Sequence, residues 1–338
     1  MTSMLPGSGP EPSLDLRVRC TEDLLAAAPL VLGFQPTDSV VMLTSDGDRP
    51  FHARVDLPSR SEPAAAATAV ADSLLGPAQR NNVSSLALLF FSDDQRAVRR
   101  AWGALRRGSE RARIRVVEAV RADGCRYYPL VGDQRLREIG VAYDVSSHPF
   151  AAHAVMHGIV VEKDRAALVA SVAPDRAAQR VVEETIERLG LDLGAPPRRG
   201  VDRRRWGEWL QRVVAGHVAR GTVATDEELA RAGWVAQDLR VRDAAWALIR
   251  RSDAGRHQAF WLDAARRMPD PIAAAPAALL GWAAWQAGHG ALAWIAVDRC
   301  AAVAPGYGMA GILRHCLESA VPPDSLDESF AWDEGLPA

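Results

Sequence analysis

Four aspartates flank the predicted strands, where α/β proteins place many of their catalytic carboxylates. Asp38 comes just before one predicted strand, Asp56 closes a second, and Asp93 and Asp94 follow the apolar run Ser85–Phe91. An acidic pair at the carboxyl end of a central strand could bind a metal ion or activate a water molecule. These residues are therefore the candidates for hydrolase or transferase chemistry.

The same aspartates also have structural explanations. Asp38 lies in a Gln-Pro-Thr-Asp-Ser turn, where an Asp side chain usually accepts from nearby backbone N–H groups. Ser92 and Gln95 have the spacing of a capping box. Asp93 and Asp94 then fall in the first turn of the following helix, where negative charge favours the helix dipole. The sequence favours turn and capping roles, and it leaves open whether the chain is an enzyme.

The histidines offer one metal-ligand pair. His153 and His157 are four residues apart, so a helix from Pro149 to His157 would place both on one face. No Asp, Glu or Cys joins them at a fixed spacing, and zinc sites need a third protein ligand. Over the α/β part, residues 14–171, the phosphate-binding and serine-hydrolase motifs G-x-G-x-x-G, G-x-x-x-x-G-K-[ST] and G-x-S-x-G are absent. We therefore expect no metal and no cofactor, and keep the histidine pair only as a candidate.

The most distinctive pattern lies before the first strand. Residues 21–43 read TEDLLAAAPLVLGFQPTDSVVML, which predicts a short helix that stops at Gly33 and a buried strand over 39–43. Together with ARVDLP at 53–58 and AAWQAGHGALAW at 283–294, this pattern resembles an actinobacterial family called domain of unknown function 4192. The resemblance spans most of the chain and implies no activity.

The chain departs from that family in one loop. Residues 127–134 read YYPLVGDQ, whereas many members of the family resemble each other in a Cys- and Pro-rich loop there. A metal or redox role of this loop is therefore in doubt.

Composition excludes several classes of function. Lys and Arg number 40 and Asp and Glu 42, so the net charge of −2 gives no bias toward nucleic acid. Arg198, Arg199 and Arg203–Arg205 could bind phosphates while Trp206 and Trp209 stack on bases, but a dedicated binding domain should be markedly basic. The four cysteines lie too far apart for a C-x-x-C pair, and no apolar run reaches the length of a membrane span. We expect a cytoplasmic protein that binds neither membrane nor nucleic acid.

The strand and helix patterns predict an α/β domain with a mixed sheet, followed by an all-α domain. With 338 residues, each domain can bury its own core. The predicted segments are a disordered leader over 1–13, the α/β domain over 14–171, a helix and Pro/Arg-rich linker over 172–205, the helical domain over 206–320 and a disordered tail over 321–338.

The helical domain suggests a function in binding. Residues 282–317 have the sequence pattern of one tetratricopeptide-like helical hairpin. Arrays of such hairpins usually bind peptides or partner proteins. We therefore expect a non-enzymatic interaction or regulatory module with an unidentified protein partner, or a small-ligand sensor in the α/β domain. Trp282, expected to be partly exposed, and Tyr307 are the candidate partner contacts, while Trp285 is expected to be buried. The alternative is a hydrolase or transferase that uses the strand-end carboxylates.

Overall fold

The computed structural model describes residues 18–47, 51–59, 61–156, 160–197, 199–326 and 331–337. These residues form two compact units. One unit contains the described residues up to Leu168 together with Glu318–Pro322, and the other contains Val169–Leu317 and the described residues from Pro323 onward.

The first unit is built on a six-stranded mixed sheet with the order β2-β1-β3-β4-β5-β6. Its strands are β1 (Ser39–Thr44), β2 (His52–Asp56), β3 (Ser85–Phe91), β4 (Arg115–Ala122), β5 (Arg126–Pro129) and β6 (Val141–Ala142). Its helices are α1 (Thr21–Leu32), α2 (Ala64–Arg80), α3 (Gln95–Ala112), α4 (Gln134–Ile139) and α5 (Pro149–Met156), and α6 (Arg165–Ser171) follows. Strands β3 and β4 are parallel and joined through α3, and the other neighbouring strands are antiparallel. The predicted mixed sheet is confirmed.

The central strands explain the layering. Val40 and Leu88 face a core that α2 and α3 cover, whereas Val41 and Leu89, one residue along, face a second core that includes Leu25 of α1. All five side chains are almost completely buried. Because each contributes about 1.5–3 kcal/mol when fully buried, both faces of the sheet need a helical cover.

Two helix ends show where local signals succeed and fail. Gly33 ends α1 in the left-handed conformation with φ 77°, as the sequence predicts. Gly76 and Pro77 are residue types that typically end a helix, but α2 continues through them to Arg80. Ala78 in that added turn is fully buried in the core beside the sheet. The free energy gained by burying this turn outweighs the loss of the one backbone hydrogen bond that Pro77 cannot donate.

The second unit is helical. Its helices are α7 (Arg176–Arg188), α8 (Gly200–Arg220), α9 (Asp226–Val235), α10 (Leu239–Trp246), α11 (Ala254–Arg267), α12 (Ala274–Gln286), α13 (Gly290–Val303) and α14 (Gly308–Glu318). Helix α12 packs against α11 and α13, and every residue from Ala275 to Gln286 is buried. The predicted change from a mixed sheet to helices is confirmed.

Two boundaries differ from the sequence prediction. Helix α8 begins at Gly200, so Arg203–Arg205 are helical and not part of a linker. Part of the expected disordered tail is folded, because residues 331–337 form a turn in which Trp332 is only 7% exposed. Among the described residues, no helix is both long enough and apolar enough to cross a membrane.

Candidate functional site

A cleft of about 750 Å³ lies at the edge of the sheet where β3 and β4 end and β1 begins. Phe91 and Asp93 line it at the end of β3, and Ala122 and Asp123 line it at the end of β4. Ligands of open α/β sheets usually bind beyond the carboxyl ends of parallel strands. This edge of the sheet is therefore the candidate functional site.

One wall of the cleft is apolar. Leu25, Pro29 and Leu30 of α1 line it, together with Ala151 and Ala154 of α5. The wall can bury the hydrocarbon part of a ligand, while the strand ends supply polar groups on the other side.

Of the four predicted carboxylates, Asp38 and Asp93 line the cleft. Asp38 adopts a left-handed φ of 41° and accepts a hydrogen bond of 2.7 Å from the hydroxyl of Ser92. The same hydroxyl accepts from the backbone N–H of Asp94 at 3.1 Å. Asp93 is exposed, and its carboxylate makes no hydrogen bond or ion pair within the described part of the chain. Asp93 is therefore available to a ligand.

The other two predicted carboxylates have structural roles outside the cleft. Asp94 is the N-cap of α3 and accepts from the backbone N–H groups of Arg96 and Ala97 at 2.9 and 3.2 Å. The cap is thus Asp94 itself, and not Ser92 as the capping-box pattern suggested. Asp56, the last residue of β2, lies opposite Ser39 and forms an ion pair with Arg54, and it does not line the cleft.

Sequence reasoning missed two further carboxylates in the cleft, Asp123 and Asp144. Asp123 is the first residue after β4, and Asp93 is the second residue after β3. Because β3 and β4 are parallel neighbours, their carboxyl ends meet at one edge. In the sequence, the Asp-Gly pair at 123–124 indicates only a turn, so the strand order is the missing information.

Hydrogen bonds keep both of these carboxyls ionised. Partial burial opposes ionisation of Asp123, but the backbone N–H groups of Arg126 and Cys125, at 2.8 and 3.1 Å, outweigh it and lower its pKa. The backbone N–H of Ser146, at 2.8 Å, lowers the pKa of Asp144. Both groups are therefore anionic at neutral pH.

A buried cation joins the two strand ends below the cleft. Arg121 is 6% exposed, and its guanidinium donates to the Ser92 carbonyl at 3.3 Å. The same group lies 3.8 Å from the Asp123 carboxylate and 3.9 Å from the ring centre of Tyr128. Arg121 thus fixes the ends of β3 and β4 relative to each other.

The apolar wall is held by a histidine. The Nε2 atom of His148 lies 3.0 Å from a carboxylate oxygen of Asp23, and its Nδ1 accepts from the Phe150 N–H at 3.2 Å. Because Nδ1 accepts, Nε2 carries the proton that is donated to Asp23. The contact joins the first turn of α1 to the start of α5, so the role of His148 is structural.

The predicted metal pair is not described. His157 lies outside the described residues, as does the side chain of His153. Within the described part of the chain, no group of three His, Cys, Asp or Glu side chains could hold a metal ion.

The expected partial exposure of Trp282 is wrong. Its ring is 4% exposed and packs edge-on against Trp246 and Trp285, with ring centres 4.9 and 5.0 Å apart. The small residues of α12 leave Trp282 few neighbours in its own helix, but adjoining helices supply them. Tyr307 is half-buried, and its hydroxyl accepts from Arg242 at 3.1 Å. Trp282 is therefore a core residue, and partner binding by Tyr307 stays a prediction.

Comparison with known proteins identifies a family and no relative of known activity. No curated protein and no solved structure matches the chain. One family model, described as Domain of unknown function (DUF4192), matches residues 22–324 and so includes the helix–turn–strand segment before the cleft as well as most of the helical unit. The chain belongs to this DUF4192 family.

Proposed function

We propose that the first unit is a ligand-binding module whose cleft takes a small organic cation with an apolar body. The observation that carries this proposal is the lining of the cleft. Four carboxylates stand opposite an apolar wall, and none of the described residues that line the cleft is basic. The carboxylates are Asp38, Asp93, Asp123 and Asp144.

The size of the cleft fits such a ligand. Small-molecule sites typically enclose about 300–1,000 Å³, and this cleft encloses about 750 Å³. An ammonium or guanidinium group would donate hydrogen bonds to the carboxylate of Asp93, which has no partner within the described residues. The hydrocarbon part would lie against Leu25 and Leu30, where about 25 cal/mol is gained per Å² of apolar surface buried.

The protonation of the carboxylates favours binding over acid catalysis. A general acid at neutral pH needs a raised pKa, whereas the pKa values of Asp123 and Asp144 are lowered. The alternative remains a hydrolase or transferase, which the position of Asp38 and Asp93 beside the strand ends supports.

In this proposal the protein is a regulatory, ligand-sensing module in the cytoplasm. In the same proposal residues 282–317 act as a tetratricopeptide-like hairpin, and the helical unit provides the contact with a protein partner, because stacked helix pairs often bind peptides.

The test compares two probes of one shape and opposite charge. We expect 2-phenylethylamine to raise the melting temperature of the full chain in a concentration-dependent way, and 3-phenylpropionate to leave it unchanged. A phenylalkylamine with a longer chain, measured in the same way, shows how much of the apolar wall the ligand contacts. Equal effects of the amine and the acid, or no effect of either at millimolar concentration, would exclude a cation-binding cleft. Hydrolysis of an added ester or amide that carries an amino group would favour the enzyme alternative.

A further inference from the structure

The segment of residues 331–337, here named the closing segment, is held on the surface of the helical unit. Trp332 is its one buried side chain among the described residues, with 7% of its surface exposed. Two backbone hydrogen bonds lie within the segment, from Glu334 to the Ala331 carbonyl and from Leu336 to the Asp333 carbonyl. The segment is thus a short turn that depends on contacts outside itself.

Two glycines of α8 make room for this segment. A Cβ atom at Gly207 would overlap the ring of Trp332, and one at Gly200 would lie 2.7 Å from Cδ of Pro337. Gly200 and Gly207 are seven residues apart, so they lie two turns apart on the same face of the helix. Together they leave a shallow groove whose two ends fit Trp332 and Pro337.

Arg204, between these glycines, binds one half of the segment. Its Nε donates to the Pro337 carbonyl at 2.7 Å, and a terminal nitrogen donates to the Leu336 carbonyl at 3.0 Å. The other terminal nitrogen pairs with the Asp333 carboxylate at 3.1 Å. One guanidinium therefore binds two backbone carbonyls and an acidic side chain.

Arg240 of α10 binds the other half. Its two terminal nitrogens donate to the Trp332 carbonyl at 3.2 Å and to the Glu334 carbonyl at 2.8 Å. Two arginines thus bind four carbonyls of a seven-residue segment. An aromatic anchor in a pocket, with backbone groups bound beside it, is the way protein domains hold short peptides.

We propose that Gly200, Arg204, Gly207 and Arg240 form a peptide-binding groove, and that the closing segment is an exchangeable ligand that occupies it in cis. The ligand class is an acidic peptide anchored by one Trp. Asp333 supplies the acidic contact to Arg204, and the exposed Arg199 and Arg205 beside the groove add positive charge. A peptide of the same kind from another protein competes for the groove. Because the cis segment is tethered at high effective concentration, the groove opens to a trans peptide mainly when the cis anchor is weakened.

The test uses a fluorescein-labelled, amidated peptide with the sequence of residues 331–338, AWDEGLPA, and measures its anisotropy with the full chain. We expect Trp332→Ala to bind the peptide at least about 10-fold more tightly than the wild type does, because the cis competitor is weakened. A peptide with Ala in place of its Trp should not bind. Adding Gly207→Leu to the Trp332→Ala chain should abolish binding, because the side chain fills the anchor site.

A fixed structural role of the closing segment predicts different results. If Trp332→Ala keeps its circular dichroism spectrum but does not bind the peptide, or binds a scrambled peptide equally well, the proposal is wrong. If that variant does not fold, a full chain with a protease site in place of residues 327–330 decides the question. After cleavage, displacement of the segment by excess peptide supports exchange, and retention through gel filtration with excess peptide contradicts it.

Discussion

The hydroxyl of Ser92 donates to the carboxylate of Asp38 across 2.7 Å, which joins the end of β3 to the turn that opens β1. Since this hydroxyl also accepts from the Asp94 N–H, Ser92 connects three backbone segments at the rim of the cleft. We expect Ser92→Ala to lower the free energy of unfolding by about 1–3 kcal/mol, because the partly buried N–H of Asp94 loses its acceptor and the Asp38 carboxylate loses a donor. Urea titration measures the change. The exposed Ser147 is the matched control, and an equal loss from Ser147→Ala would contradict this role for Ser92.

The carboxylate of Asp93, which pairs with none of the described residues, gives a prediction that separates binding from stability. We expect Asp93→Asn to change the free energy of unfolding by less than about 0.5 kcal/mol, since the side chain has no partner within the described residues. The same variant should bind 2-phenylethylamine about 10-fold more weakly, because a charge-assisted contact is lost. Isothermal titration calorimetry with 2-phenylethylamine measures the affinity of the wild type and of Asp93→Asn. Asp56→Asn is the control, because Asp56 does not line the cleft. A loss of affinity in the control as large as in Asp93→Asn would show that net charge alone is responsible.

The burial of Trp282 predicts a large effect on stability. We expect Trp282→Ala to cost about 3–5 kcal/mol, because it leaves a cavity between helices. In a variant that keeps Trp282 alone among the tryptophans, acrylamide should quench its fluorescence poorly. Efficient quenching in a folded protein, or a loss of unfolding free energy near zero, would show that Trp282 is exposed, as the sequence suggested. Trp209, which is only half-buried, provides the comparison.

The carboxylate of Asp46 gives the chain a specific acid sensitivity. It accepts hydrogen bonds of 2.6–3.0 Å from the hydroxyls and backbone N–H groups of Ser85 and Ser84, and these lower its pKa far below the usual value. A carboxyl whose pKa is lower in the folded state stabilises the fold above its unfolded pKa, about 3.9, and loses that contribution as the pH falls toward the folded pKa. We expect Asp46→Asn to lower the urea midpoint at pH 7, with the difference from wild type shrinking below about pH 4. The control is Asp72→Asn, since the Asp72 side chain is exposed on α2, and its difference from wild type should not depend on pH in this way. A constant difference between Asp46→Asn and wild type down to pH 2 would contradict the prediction.

The sequence predicts those parts of the fold that local patterns determine. Residues 85–91 are predicted as a central strand with both ends correct, because the run is apolar throughout and bounded by polar residues. Local signals do not fix the end of α2 or the start of α8, since burial of Ala78 and the contacts of Arg204 involve residues far along the chain. Trp332 could not be placed either, because nothing near it in sequence indicates the room that Gly207 leaves.

The candidate site follows the same rule. Asp38 and Asp93 were found because each adjoins a strand with a strong apolar signal. Asp123 requires the knowledge that β3 and β4 are parallel neighbours. Asp144 lies in a loop after a two-residue strand that has no sequence signal. The chemistry of single residues was visible in the sequence, but their convergence depends on the strand order.

The position of β1 between β2 and β3 has a kinetic consequence for ligand binding. The carboxylates of the cleft come from chain positions as far apart as 38 and 144, so the cleft forms only after β1 has paired with β3, from which β2 and α2 separate it in the sequence. A partly folded chain in which β3, α3 and β4 have assembled without β1 holds Asp93 and Asp123 but has neither Asp38 nor the wall from α1 in place. A ligand of the complete cleft therefore binds the native state alone. It should slow unfolding in proportion to its occupancy and leave the folding rate unchanged.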